Sequence, residues 1–147
     1  MSSYLGLKIV NKKAGFNYHL DKSIEAGLVL LGSEVKSILD GKVNFKDSYI
    51  KIVNGEAFWV GAHVSPYLYS HQFNHDPERD RKLLLHITEI RHLQSAIKEK
   101  GLTIVPMRLY VSRGKIKLEI ALGKGKKLYD KRESLKEKDL KRDLEQL

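Results

Sequence analysis

Apolar and polar positions alternate with two different periods along this chain, and the changes of period mark out its elements. Short apolar stretches at Gly15 to Leu20 and Gly27 to Leu31, parted by the polar Asp21-Lys22-Ser23, read as two strands with a turn between them. Ile24-Glu25-Ala26, inside that connection, has room for one helical turn. Ser33 stands as an N-cap ahead of Val35, Ile38 and Leu39, whose helical spacing stops at Gly41. Ser48 to Val53 and Glu56 to Val60 flank Asn54-Gly55, a dipeptide that tolerates positive φ twice, and this predicts a hairpin. Periodicity then lapses from Ser65 to Lys82, a charged stretch with two prolines that predicts a long loop. Thr88 as N-cap, Ile90, Leu93 and Ile97 at spacings of three and four, and Gly101 as the stop predict a helix. Val105, Met107, Leu109 and Val111 alternate, and so do Ile116, Leu118, Ile120 and Leu122, on either side of Arg113-Gly114. That second hairpin closes the sheet.

Several short antiparallel strands, two or three short helices and no strand-helix-strand alternation predict a mainly β (α+β) fold, a small closed antiparallel barrel of the oligonucleotide-binding-like type. Residues 1–123 make up that barrel domain. Residues 124–147 form a basic C-terminal tail with nine cations and six acids, and the first part, Lys124 to Arg132, holds five of the cations against one acid. Leu140, Leu144 and Leu147 recur at helical spacing, so the tail can form an amphipathic helix. A helix so short is marginal alone in water, and full order is expected only on a partner.

Composition narrows the function. The 147 residues carry 27 Lys and Arg against 18 Asp and Glu, a net charge of +9, which suits a polyanionic partner. With no cysteine, thiolate zinc sites, Cys nucleophiles and disulfide scaffolds are excluded, and a reducing, cytoplasmic home fits. No apolar run approaches the ~18 residues of a membrane span, and Met1-Ser2-Ser3-Tyr4 lacks the design of a signal peptide. No membrane role is expected.

Catalytic patterns are weak. His71 and His75, with Asp76 beside them, have ligand-like spacing, but they fall in a predicted loop and Gln72 stands where a zinc helix needs its general base. Gly123-Lys124-Gly125-Lys126-Lys127 lacks the four-residue gap and the hydroxyl of a phosphate loop. No Gly-x-Ser-x-Gly elbow exists, and Glu133 and Glu137 fall in a solvated tail. No enzyme, no metal site and no cofactor are expected.

The cations lie beside aromatic and hydrogen-bonding groups, the mixture that looped or single-stranded RNA requires. Lys12 and Lys13 precede Phe16 and Tyr18, Arg79, Arg81 and Lys82 precede His86, and Lys124, Lys126 and Lys127 precede Tyr129. The competing reading is a solvated charged surface with Phe16 and Tyr18 in the core.

Five stretches in combination, Asn11-Lys12-Lys13-Ala14, Glu25-Ala26-Gly27, Gly32-Ser33-Glu34-Val35-Lys36-Ser37, Arg81-Lys82-Leu83-Leu84-Leu85, and Gly125-Lys126-Lys127 with Asp130-Lys131-Arg132, resemble the small protein B family, the SsrA-binding proteins of bacterial trans-translation. The resemblance runs from Val10 to about Arg132. It implies an adaptor that clasps the tRNA-like domain of tmRNA and enters stalled ribosomes with it, so that the nascent chain is tagged for degradation and the ribosome is released. Elongation factor Tu would join through the shared tmRNA. By motif position Glu25, Leu84 and His86 fall at the tmRNA contact, with Tyr18 nearby and Lys36 within the matched Glu-Val-Lys-Ser stretch. His86 departs from the family, where Asn is common. Glu25 is an unusual group for RNA unless its carboxylate accepts from a base amino group; capping a helix or pairing with Lys12 or Lys13 is the alternative. Alternation puts Leu83 and Leu85 on one face of a strand and Leu84 on the other, where it can lie under a base. The tail, with Tyr129, Asp130, Lys131 and Arg132, matches the segment that probes the empty mRNA channel and decoding centre, disordered when free and helical on the ribosome. The other reading of the same residues is a general RNA-chaperone or ribosome-associated RNA-binding barrel.

Overall fold

A computed structural model describes residues 6–69 and 74–145. The Met1 to Tyr4 stretch, His71 and Leu147, and the Leu144 side chain, lie outside the described residues. In chain order the elements are β1 (Lys8–Val10), α1 (Lys12–Asn17), β2 (Tyr18–Leu28), α2 (Gly32–Leu39), β3 (Val43–Asn44), β4 (Tyr49–Val53), β5 (Glu56–Val60), β6 (His63–Val64), β7 (Arg81–Leu84), α3 (Ile87–Lys100), β8 (Thr103–Ser112), β9 (Lys115–Gly125) and α4 (Leu128–Glu145).

The main sheet runs β1-β8-β4-β5-β7-β2-β9, all antiparallel, and pairing of β9 back onto β8 closes six of its strands into a ring. Closure leaves β1 as an added strand on β8 and a separate β3–β6 pair. Inside the ring, Trp59, Ile104, Leu109, Leu118 and Ile120 are fully buried, and each such aliphatic side chain contributes about 1.5–3 kcal/mol by leaving water. The Trp59 indole N–H donates to Ser48 Oγ at 3.0 Å, so its one polar atom is satisfied in the core. Leu93 and Ala96 join α3 to the same core.

Both hairpins form about their dipeptides, with positive φ at Asn54 and Gly55 and again at Arg113 and Gly114. The first half differs from its sequence reading. The expected strand from Gly15 begins instead in α1, because Asn11 and Ala14 point inward three residues apart and fix one helical turn. Asn11 Nδ2 donates to the Pro106 carbonyl at 2.8 Å and its backbone N–H to Met107 O at 2.8 Å. Asp21-Lys22-Ser23 is no turn, and Ile24-Glu25-Ala26 is not helical: β2 runs straight through both. The polar triplet is a bulge, three steps on β2 between Leu20 and Ser23 against two on β9.

A second bulge, at Met107, corrects the β8 pattern. Pro106 faces Ile120 and Arg108 faces Glu119, so one extra residue shifts the phase, and Ile104, Pro106, Leu109 and Val111 face the inward side chains of β9 rather than Val105 and Met107. A proline has no N–H for the ladder, which suits it to a bulge. Leu31 and His86, not Ser33 and Thr88, precede their helices; in each case the Glu three residues on accepts the backbone N–H, Leu31 to Glu34 at 2.8 Å and His86 to Glu89 at 2.9 Å. Gly101 ends α3 at φ +64° as expected. The long loop gives way at Arg81 to β7, and β9 runs two residues past the expected domain boundary, to Gly125. Among the described residues no helix is long and apolar enough to cross a membrane.

Candidate nucleic-acid interface

β7 is the strand that builds the site. Its alternation buries Leu83 and turns Leu84 outward, 55% exposed, while Leu85 packs partly against the core. Across the ladder Leu84 faces Gly27, where a Cβ would come within 3.1 Å of the Leu84 Cβ. Glycine at that position lets Leu84 lie down against β2, two residues from exposed Glu25. His86 follows directly as the residue ahead of α3, and Ile87, 58% exposed, extends the apolar surface. Glu25, Leu84, His86, Ile87, Lys82 and Lys117 all line one open cleft of about 600 Å³.

This cleft is not a phosphate basin. Glu25, Glu56 and Glu89 line it alongside Lys82 and Lys117, and Lys82 already pairs with Glu56 at 3.3 Å. What it offers is a carboxylate acceptor beside exposed aliphatic carbon, which suits base edges and sugar faces better than backbone anions. Glu25 neither caps a helix nor pairs with Lys12 or Lys13. Its Oε2 accepts the Tyr110 hydroxyl at 2.5 Å, leaving the other carboxylate oxygen without a protein donor among the described residues. Partial burial and the adjacent Glu25 carboxylate push the Tyr110 hydroxyl above its ordinary range, so it stays a donor at neutral pH. Arg108 lies 5.3 Å from the Tyr110 ring centroid and ion-pairs with Glu119. Tyr110, Ile87 and Lys117 escaped sequence reasoning; cross-strand alternation could have flagged Lys117, whose register partner is Gly27.

Arg81 does not belong to this surface. Expected as an RNA contact, it is fully buried, with Nε donating to Glu34 Oε2 at 2.6 Å, Nη1 to Ala62 O at 3.1 Å and Nη2 to Pro77 O at 2.9 Å. Arg79 reaches the other Glu34 oxygen at 2.5 Å. Burial works to raise the Glu34 pKa, but hydrogen bonds from Arg79, the Leu31 N–H and Arg81 outweigh it, and the carboxyl lies below its ordinary value of 4.5. Arg81 therefore acts by fixing β7 to α2, and with it the direction of Leu84. His75 is similarly occupied: its Nε2–H donates to Val64 O at 2.8 Å, so in the neutral ring Nδ1 accepts the Ser33 hydroxyl, also at 2.8 Å. Neither nitrogen is left for a metal.

The remaining cations spread over other surfaces. Lys12 and Lys13 are exposed on α1, and Lys36 is exposed on α2 over the Tyr67 ring. Tyr18 is half-buried, its Cβ lying against Gly123 on the outer face of the sheet, where Val105 also packs. Lys124 is exposed on β9 opposite His19. Lys126 anchors the junction, its N–H donating to Asn17 O at 2.9 Å and its Nζ to Ser134 Oγ at 2.7 Å. Lys127 donates its N–H to Asp130 Oδ2 at 3.3 Å, and His19 Nε2 meets the same oxygen at 3.1 Å. The His19 hydrogen bond, aided by the Lys127 N–H, holds the Asp130 carboxyl below its usual range, and Asp130 raises the Tyr129 hydroxyl. Tyr129 and Arg132 are exposed and Lys131 is half-buried. The segment forms α4, whose root is tied to α1 and β2.

The model of the family described as SmpB protein matches residues 8–147. The chain is 55% identical over 135 residues to an SsrA-binding protein of Bacillus pumilus, covering 92% of this chain and 86% of that protein. It is 53% identical over 137 residues to one of Syntrophobacter fumaroxidans, covering 93% and 85%. Its fold is similar to that of a chain in the solved structure described as "tmRNA-SmpB: a journey to the center of the bacterial ribosome", with a TM-score of 0.70 and 38% identity over 87% of this chain and 94% of that one. With a closed ring of strands, a cleft where the matched Glu-Ala-Gly and Leu-Leu-Leu stretches meet, and relatives more than half identical over nine-tenths of its length, this chain belongs to the SmpB family of SsrA-binding proteins.

Proposed function

We propose that this chain is the RNA-binding adaptor of trans-translation in its cell. It binds the tRNA-like domain of tmRNA through the Glu25, Leu84 and His86 cleft and accompanies it to stalled ribosomes in the cytoplasm, with elongation factor Tu on the same RNA. The barrel grips RNA, with Lys12, Lys13, Tyr18, Lys36, Lys82, Lys124, Lys126 and Lys127 as further contacts. Residues 124–147, through Tyr129, Asp130, Lys131 and Arg132, enter the vacant mRNA channel and decoding centre. The chain performs no catalytic step of its own; peptide transfer and tagging belong to the ribosome.

The observation that carries this reading is the meeting of Glu25 with Leu84 and His86, from two distant stretches of sequence, in one open cleft of a member of this family. Leu84 supplies a flat apolar patch for an unstacked base, and Glu25, fixed by Tyr110, accepts from an amino or imino edge. A gel-shift competition at moderate salt tests it. Labelled tmRNA should stay bound against a large excess of bulk tRNA; equal displacement by tRNA would favour a general RNA chaperone, which binds any structured RNA through phosphates alone.

A further inference from the structure

The two most exposed large hydrophobic side chains among the described residues are neighbours, Leu68 at 86% and Tyr69 at 76%, and neither lines the cleft. The residue before them is tied down. The Tyr67 N–H donates to Asn74 Oδ1 at 3.2 Å, and Asn74 Nδ2 donates back to Tyr67 O at 3.0 Å, so one side-chain amide replaces a strand partner. Asn74 Oδ1 also receives the His75 N–H, and His75 is tied to Ser33 of α2. Tyr69 meets Tyr67 edge-on at 5.5 Å between centroids, leaving most of its own ring to solvent. Lys36 Nζ lies 5.4 Å from the Tyr67 centroid, and the Lys42 carbonyl accepts the Ser65 N–H, which brings a second exposed lysine to the base of the segment. Neither lysine has an ion-pair partner among the described residues.

We propose that Tyr69, braced by Tyr67 and flanked by Lys36 and Lys42, is a second RNA-contacting site, a stacking platform for an unpaired nucleobase whose phosphates meet the two lysines. An open π-face next to a ring that already carries the Lys36 ammonium, with Lys42 at the base of the same segment, is what single-stranded RNA recognition uses, and a duplex, whose bases are already stacked, has no group to place there. Tyr67, against which Tyr69 leans, is held before RNA arrives, which lowers the ordering cost of binding. It takes from the adaptor reading the class of ligand and Lys36, and it adds Tyr69 and Lys42, which that reading does not contain.

The test uses the full chain and a fluorescent hexamer of oligoadenylate, read by anisotropy. Tyr69→Ala should weaken hexamer binding about tenfold, in line with the stacking of one base, and Tyr69→Phe should stay within about twofold because the ring remains. Lys36→Gln should lower the salt slope of binding by about 0.7, one phosphate contact on a single strand. Leu84→Ala should leave hexamer affinity unchanged while weakening tmRNA. Tyr69 is exposed, so the variants should melt with the parent. The proposal is overturned if Tyr69→Ala binds the hexamer as the parent does, or if Leu84→Ala removes hexamer binding, which would put the strand in the cleft. It is equally overturned if Tyr69→Ala loses ribosome association with hexamer affinity intact, which would make the patch a protein contact. Loss of tmRNA discrimination in the parent would instead sink the adaptor reading and leave the platform standing.

Discussion

Two carboxylates hold this molecule together at two places, and water separates their behaviour. Glu34 sits dry between Arg79 and Arg81 and ties β7 to α2 across 47 residues of sequence, with both side chains of its Arg81 pair at zero exposure. Asp130 does comparable bonding at the root of α4, to His19 and to the Lys127 N–H, but at the surface, its own side chain 18% and that of His19 56% exposed. A pair in water gains little Coulomb energy, and salt screens it; a pair in the interior has lost its hydration and depends wholly on its partners. The first clasp therefore sets the shape of the barrel, and the second is the weaker tie, at the root of α4.

The largest expected effect lies at the dry clasp. Arg81→Met leaves Glu34 Oε2 and the Ala62 carbonyl without their donor in the interior and takes one of two donors from Pro77 O, and should cost roughly 3–5 kcal/mol, a large share of the ~5–15 kcal/mol that holds a small domain folded. Adding Glu34→Leu removes the half-paired charge, but Ala62 O and the Leu31 N–H are left without these partners and Arg79 loses its carboxylate, so the double variant should recover only part of the loss in urea melts. Full recovery would mean that the clasp contributes no hydrogen bonding beyond its charge.

The same clasp fixes an acid dependence. Because the folded Glu34 carboxyl lies below its unfolded value near 4.5, its contribution is fully present above that value and disappears as pH falls through the lower, folded one. Glu34→Gln should therefore be clearly less stable than the parent at pH 7, and the gap between their midpoints should shrink in melts below about pH 4. A gap that stays constant across this range would assign the loss to shape alone.

This cluster also marks the limit of what sequence could reveal. The alternation that exposes Leu84, the Asn54-Gly55 and Arg113-Gly114 turns and the Gly101 stop are local, and these patterns read correctly, although the equally local Ser33 and Thr88 caps did not. Arg81 and Lys82 look alike in a charged run, yet one is buried and the other lies on the cleft, because only the distant Glu34 decides which cation turns inward. The bulges at Asp21 to Ser23 and at Met107 are equally invisible, since each is a mismatch with β9 and not a property of its own strand. For the site, Glu25, Leu84 and His86 were legible through motif resemblance, whereas Tyr110 was not: its tie to Glu25 spans 85 residues.

Between the clasps lies the cleft, where smaller changes should be read in binding. Gly27→Ala puts a methyl within 3.1 Å of Leu84 Cβ and should displace that side chain, lowering tmRNA affinity about as much as Leu84→Ala while the melting temperature moves less than for Arg81→Met. Tyr110→Phe keeps the ring against Arg108 and removes only the donor to Glu25. A few-fold loss of tmRNA affinity is expected from it, with an unchanged salt slope, since no phosphate contact is involved. In a Glu25→Gln background the same change should have no further effect on affinity; an undiminished second loss would show that Tyr110 acts through something other than the carboxylate.

The wet clasp should give the smallest change in stability. His19→Ala removes one exposed partner of Asp130 and leaves the Lys127 N–H on the same carboxylate and the Lys126 N–H on Asn17 O, so the barrel should melt where the parent does. What should respond is the root of α4, whose amides from Tyr129 to Arg132 are expected to exchange with solvent faster in the variant than in the parent, while those of β7 keep their protection. Tight tmRNA binding should persist, because no cleft residue has changed. Matched slowing or matched loss of protection in both regions would mean that the tail root and the barrel open as one unit, and the contrast between a dry clasp that shapes and a weaker, wet one would fail.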